Sequence, residues 1–244
     1  MRSFSNMYIF IFSVVMVTIV AILLSFVSMK LNPRQLMNIE IEKKEDVLRS
    51  VGEAEKLSEV PDKNSYIDGE FAKYITESYV VDYEGNMVDA DAFEVMLGLN
   101  EEIRKPKEER NYPVFIYTGE QGEKKYVVPV RGKGLWGPIW GYVSFDADLN
   151  TIYGAVFDHQ GETPGLGAEI STGWFQEPFK GKTIFDENGK FVSIEVVKGG
   201  ADPSNPHQVD AISGGTITSK GLEKMLKDCL EGYVAHFNSL KEIV

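Results

Sequence analysis

The chain of 244 residues has one cysteine, Cys229, and three widely separated histidines, His159, His207 and His236. A single thiol cannot form an internal disulfide. No Cys/His spacing of the kind that holds zinc or an iron–sulfur cluster is present, so no metal site is expected. Basic residues are also scarce. Twenty-five Lys and Arg face 37 Asp and Glu, a formal net charge of -12. Nucleic-acid binding needs basic patches that displace counterions, so this balance argues against it. It argues equally against a domain surface that binds an anionic bilayer. No internal repeat or low-complexity segment interrupts the chain. What remains is ordinary globular material, 25% charged and 43% hydrophobic, long enough for one domain with a substantial core or two small ones.

One segment is different in kind. Tyr8 to Met29 reads YIFIFSVVMVTIVAILLSFVSM, without a charged residue. A bilayer core takes about 20 apolar helical residues to cross. A cleaved signal peptide would have an apolar core of about 7–15 residues and a small-x-small cleavage site. Here the run is longer and is followed by Lys30-Leu31-Asn32-Pro33-Arg34, so a retained single-pass anchor is the better reading. Arg2 before the run and Lys30 and Arg34 after it leave the orientation open by charge counting.

Beyond the anchor, Gln35 to Leu57 shows helical spacing, with Leu36, Ile39, Lys43, Val47 and Val51 near one face and a bend expected at Pro33. Tyr74 to Val81 reads as a strand, Tyr83-Glu84-Gly85-Asn86 as a turn and Asp91 to Leu99 as a short helix. The charge run Glu101 to Arg110 is expected to be a solvated loop. Three hairpins follow: 113–118 with 125–130, 139–145 with 151–157, and 183–185 with 191–197. That succession predicts antiparallel pairing in an α+β fold and not alternating βαβ units. From Leu222 to Leu240 apolar residues recur at helical spacing, predicting a long amphipathic helix with Cys229 on its buried stripe.

Two segments are not explained by folding alone. Val209 to Ser219, VDAISGGTITS, stands at the entry of the last helix. Read by itself it is a hydroxyl-capped helix start. The same physics suits a phosphate, because first-turn N–H groups and the helix dipole favour an anion and two glycines admit a bulky group. No Gly-Lys-Ser/Thr closes it, so it is not a Walker A loop. The other segment, His159 to Ile170 (HQGETPGLGAEI), reads as a Pro-Gly turn before a short helix. His159 and Glu162 lack an accompanying nucleophile pattern, so a loop packed on a planar ligand is the better functional reading, and no catalytic acid or base is assigned.

Together, Glu162-Thr163-Pro164-Gly165-Leu166-Gly167 and Asp210-Ala211-Ile212-Ser213-Gly214-Gly215-Thr216-Ile217-Thr218 resemble the FMN-binding domain of NqrC, a component of the sodium-translocating NADH:quinone reductases. The related RnfG component of the Rnf electron-transport complex is the alternative; the segment Gly132-Lys133-Gly134-Leu135-Trp136-Gly137 favours NqrC. The resemblance extends over the anchor and the Asn38-to-Gly52 stretch. The chain is accordingly read as an anchor over 1–33 (helix about 8–29) and a helical and mixed connecting region over 34–100, followed over 101–244 by what the resemblance implies is an FMN-binding domain. The resemblance further implies FMN joined through its phosphate to Thr216. Ser213, Gly214, Gly215 and Thr218 would lie around the phosphate, Asp210 would be read by the flavin transferase, and Glu162 to Gly167 would line the ring. Trp136, Trp140 and Trp174 are candidates to cover it. By the same resemblance, electrons arrive from an iron–sulfur centre in one partner subunit and leave to the flavin of another. NADH and quinone are handled elsewhere in the complex, and the soluble domain lies on the periplasmic side of the inner membrane. A third possibility is an anchored binding module without a cofactor, in which the Ser213–Thr216 segment is only a cap.

Overall fold

The computed structural model describes residues 5–53 and 60–243. The chain divides into two compact units, one up to Lys43 and one from Lys44 onward. The first is a single helical rod. Helix α1 runs over Asn6–Ser50 with Pro33 inside it, and it is the one helix among the described residues long and apolar enough to cross a membrane. Side chains along its apolar run, such as Phe10, Val17 and Leu23, are exposed.

α1 stops short of the expected Leu57. Gly52 adopts φ +86°, its N–H donates to the Arg49 carbonyl, and the Glu53 N–H reaches back to Leu48. This is a glycine-terminated helix end, which a left-handed residue permits at no steric cost. Residues 54–57 of the predicted helix lie outside the described residues. A helix absent from the sequence reading, α2 (Lys63–Tyr74), is capped by the Asp62 carboxylate accepting from the Ser65 N–H.

The second unit is built on an antiparallel sheet. β1 (Ile75–Val81) and β2 (Met87–Val88) flank the predicted turn and precede the short helices α3 (Ala92–Leu97) and α4 (Leu99–Glu102). β3 (Tyr112–Thr118), β4 (Lys124–Lys133), β5 (Pro138–Phe145) and β6 (Ile152–His159) complete six strands in the order β2-β1-β3-β4-β5-β6. The first two predicted hairpins form, with registers such as Phe115↔Val127 and Val143↔Ala155. Residues of β3 are buried almost without alternation, because both faces of the sheet are covered. On one face Phe71 of α2 meets Phe115 edge-on at 6.3 Å. On the other lie α6 (Thr216–Leu230) and α7 (Val234–Ile243), with Leu222, Leu226 and Leu230 fully buried. Each such leucine stabilises the fold by about 1.5–3 kcal/mol relative to exposure.

Three expectations need correction or refinement. The third hairpin is reduced to one bridge, Phe185↔Phe191. The Asn150 side-chain oxygen takes the N–H groups of both Ile184 and Phe185, which removes the donors a ladder would use. After the short helix α5 (Gly173–Gln176), β7 (Glu195–Val197) pairs instead with β8 (Gln208–Asp210), in parallel. The predicted long amphipathic C-terminal helix is present, with Cys229 on its buried stripe, and a 3-10 turn at Glu231–Tyr233 divides it into α6 and α7. The charge run Glu101 to Arg110 is not a free loop: Arg110 donates to the carbonyls of Lys105 and Ile103 and folds it back on itself.

Candidate functional site

Three segments meet at the start of α6. The tight β4–β5 turn, closed by the Gly134 N–H on the Gly137 carbonyl, carries Leu135 and Trp136. The loop after β6 carries Glu162 to Gly167, and the α6 entry carries Gly214 to Thr218. They enclose an open cleft of about 400 Å³.

Glu162 ties the three together. The residue is buried, 5% exposed. Oε2 accepts from the Thr218 hydroxyl at 2.5 Å and Oε1 accepts from the Trp136 N–H at 2.8 Å. The Glu162 N–H in turn donates to His159 Nδ1 at 3.2 Å. These groups are therefore committed to holding the walls of the cleft. The loop closes through the Leu166 and Ala168 N–H groups on the Thr163 carbonyl, and Gly165 takes φ +75° in that turn.

The helix entry departs from the capping expectation. Gly215 is the N-cap, and no side chain caps the helix. Ser213 is exposed, and the Asp210 carboxylate accepts from the Ala201 N–H. The other hydroxyls of the first turn are used elsewhere: Thr218 bonds Glu162, and Ser219 Oγ accepts from the Ile212 N–H at 3.1 Å. Half-buried Thr216 sits at the first helical position and makes no hydrogen bond through its hydroxyl to any described residue. Helix starts leave their first N–H groups without intrahelical partners. The entry thus combines an uncapped positive helix end with a free hydroxyl, beside a cleft.

The space is kept open by missing side chains. A Cβ on Gly214, which has φ +78°, would stand 2.7 Å from Leu166 Cδ2, and one on Gly215 would press on Ile212. A Cβ on Gly167 would run into the Glu162 carboxylate and the Thr218 hydroxyl. The mouth is apolar: Leu135, Trp136, Leu166 and Ile217 are 47%, 70%, 41% and 60% exposed. A phosphate-bearing planar ligand fits this arrangement, with the uncapped helix end for its anion, apolar side chains for its ring and a volume within the usual range for ligand clefts, about 300–1,000 Å³.

Eight of the twelve site residues expected from the sequence line the cleft: Glu162, Thr163, Leu166, Gly167, Gly214, Gly215, Thr216 and Thr218. Pro164, Gly165, Ser213 and Asp210 do not. Of the three tryptophans, only Trp136 lines it. The Arg131 guanidinium lies 5.7 Å from the Trp140 ring, and Trp174 Nε1 donates to Glu169. Leu135 and Ile217 line the cleft without being expected as site residues. An isoleucine between two threonines at a helix start is a weak signal, since only the fold shows that it points outward. Among the described residues no group of three or more His, Cys, Asp or Glu side chains could hold a metal ion.

Comparison with known proteins points one way. Residues 134–231, which contain all three walls of the cleft, match the family described as FMN-binding domain. The chain is 34% identical over 219 residues to NqrC of the Na(+)-translocating NADH-quinone reductase of Vibrio anguillarum, covering 83% of this chain and 82% of that protein. It is 40% identical over 131 residues to the protein of the same name from Neisseria meningitidis serogroup A, covering 52% and 50%. The crystal structure of the corresponding Na(+)-translocating NADH-quinone reductase component from Parabacteroides distasonis superposes with a TM-score of 0.72 at 43% identity, covering 85% of this chain and 96% of that one. NqrC from Shewanella oneidensis gives 0.67 at 30% identity, covering 83% and 98%.

Proposed function

The chain belongs to the NqrC family of the Na(+)-translocating NADH-quinone reductases, and from that premise we propose that it carries FMN as a phosphoester on Thr216 and relays electrons between redox centres of partner subunits. Membership in this family decides against the Rnf alternative. The single observation that carries the attachment site is the free Thr216 hydroxyl at an uncapped helix end opening into the cleft.

In this reading Thr216 Oγ1 would hold the FMN phosphate as a phosphodiester, a net addition of FMN less water, which would keep one negative charge. The N–H groups of the first turn of α6 would hold that charge, which the positive helix end favours. Gly214 and Gly215 let the phosphate and ribityl chain approach the backbone. Leu166 and Trp136 offer apolar faces to the ring, and Glu162 fixes both by holding Thr218 and the β4–β5 turn. When bound, FMN supplies one- and two-electron redox chemistry, while the protein supplies position, a partly dry wall and electrostatics. Partial exposure of the cleft suits exchange of electrons with a neighbouring protein.

We further propose that α1 anchors the chain in the inner membrane with the domain on the periplasmic side. A flavin transferase would load Thr216 there, and coupling to Na⁺ export would belong to the assembled complex. Co-expression with a flavin transferase, followed by intact-mass analysis, should show an increase of one FMN less water. Peptide mapping should place it on Thr216. Thr216→Ala should remove both the mass increase and the in-gel fluorescence. An adduct that survives in that variant sinks the assignment.

A further inference from the structure

Next to the flavin cleft, on the far side of the β4–β5 turn, lies a cleft of about 220 Å³ with an unusual charge. Arg110, Arg131, Lys133 and Lys224 border it, with Gly221 and Met225 of α6 at its floor. Gly221 and Lys224 lie five and eight residues along α6 from Thr216, about 8 and 12 Å of helical rise. The two clefts therefore share one helix, and the end of β4 that borders this one leads into the turn that borders the other.

The cations here are under-compensated. Among the described residues, Arg110, Arg131 and Lys133 of the cleft have no carboxylate within ion-pair distance, and neither has Arg104, which does not line the cleft but lies near enough for its charge to act on Arg131. Asp228, the one acid bordering the cleft, is already shared by Lys224 and Lys107. Arg131 Nε is buried without a hydrogen-bond partner, and the guanidinium leans on Trp140. Its backbone is pinned by Cys229, whose thiol accepts from the Arg131 N–H and donates to its carbonyl, so the strand end cannot swing out to find a partner. Burial pushes the Arg131 pKa down, Tyr142 opposes the fall, and the nearby Arg104 charge adds to it. In a chain with 37 acids and 25 bases, four cations bordering one cleft with a single acid among them is not the random outcome.

We propose that this cleft is the docking site for a carboxylate-bearing segment of a partner subunit, which seats the apolar mouth of the flavin cleft against that partner. The inference rests on the reading of the chain as an electron-exchanging subunit. Protein interfaces put apolar residues at the centre and polar ones at the rim. Leu135, Trp136, Leu166 and Ile217 form such a centre, and the cationic cleft forms one side of its rim. Complementary rim charge sets association rate and orientation. A partner acid also supplies the counter-charge that the chain itself withholds.

The test uses the full chain in neutral detergent and the double variant Arg104→Glu/Lys133→Glu, which changes two residues outside the cleft around Thr216. The probe is a hexaglutamate peptide, with pyrophosphate and anionic-lipid nanodiscs as competitors. The wild type should bind the peptide, and binding should be lost near 1 M salt, where the Debye length is about 3 Å. The variant should bind at least about tenfold more weakly, as loss of complementary charge predicts. In the assembled reductase, the variant should lower NADH-driven quinone reduction most at low salt while its covalent flavin fluorescence stays at the wild-type level. Absence of peptide binding, or equal binding by both proteins with flavin intact, overturns the proposal. So does displacement of the peptide by pyrophosphate or nanodiscs at lower concentration than the peptide itself requires. Loss of flavin in Thr216→Ala bears only on the attachment site, so the two readings fail separately. The milder pair Arg104→Gln/Lys133→Gln should show the same order of effects if the charge reversal impairs folding.

Discussion

Glu162 offers the sharpest test of how the cleft is held. Its carboxylate is buried and accepts two hydrogen bonds, from the Thr218 hydroxyl and the Trp136 N–H. Glu162→Ala removes both acceptors and leaves two donors without partners in a partly desolvated site. An orphaned buried donor costs about 1–3 kcal/mol. The Thr218 hydroxyl can turn to a carbonyl one helical turn back, which recovers part of its share. A net loss of about 2–4 kcal/mol follows from those two terms. For a domain of this size each kcal/mol lowers Tm by about 2–4 °C, so the variant should melt roughly 5–15 °C lower. Glu162→Gln is the control. Its amide oxygen can still accept from Trp136 and its NH₂ can donate to Thr218 Oγ1, so only the charge assistance is lost, about 1 kcal/mol. Thermal unfolding of the detergent-solubilised chain, with and without transferase co-expression, measures both. Flavin attachment should fall in Glu162→Ala and persist in Glu162→Gln. Equal melting of the two variants, or an alanine variant within about 2 °C of wild type, would refute the claim that this carboxylate ties the three walls.

Other expectations follow from the same geometry. Gly214→Ala forces a left-handed alanine at φ +78° against Leu166, so stability should drop by about 1–2 kcal/mol and flavin loading should slow, read by urea unfolding and in-gel fluorescence. His236 has its pKa lowered by burial, with a smaller opposing effect from a hydrogen bond to the Gly85 backbone. The unfolded state therefore takes up a proton first. The stability associated with neutral His236 is full above the unfolded value, about 6.5, and declines as pH falls from there toward the folded value. His236→Gln should flatten that part of the stability–pH curve. The Cys229 thiol is held above its usual pKa by burial and is bonded to the Arg131 backbone, so a thiol reagent should label it only after unfolding.

Features that depend on local pattern were legible in the sequence. A charge-free run predicts α1, and apolar segments around turn residues predict the hairpins of β3 to β6. Features that depend on distant partners were not. The fate of 183–185 hinges on Asn150, more than thirty residues away. The break at Glu231–Tyr233 interrupts a continuous apolar stripe, so periodicity could not reveal it. At the site, the glycines and threonines of the α6 entry stood out because their composition is odd for a helix. Two things did not: that Glu162 reaches Thr218 across 56 positions, and that the cap is a glycine instead of a hydroxyl. Local rules make a serine or threonine cap the natural guess.

The uncapped entry of α6 also bears on maturation. A helix that begins without a cap is frustrated at that end, and an anion placed in its first turn relieves the frustration by about 0.3–1 kcal/mol. The phosphodiester on Thr216 would then act as a prosthetic cap. Unloaded protein would leave the first N–H groups of α6 without partners, open to the transferase, and loaded protein would pair them. Attachment would be self-locking: each modified chain leaves the pool of good transferase substrates by becoming more ordered at the modified residue.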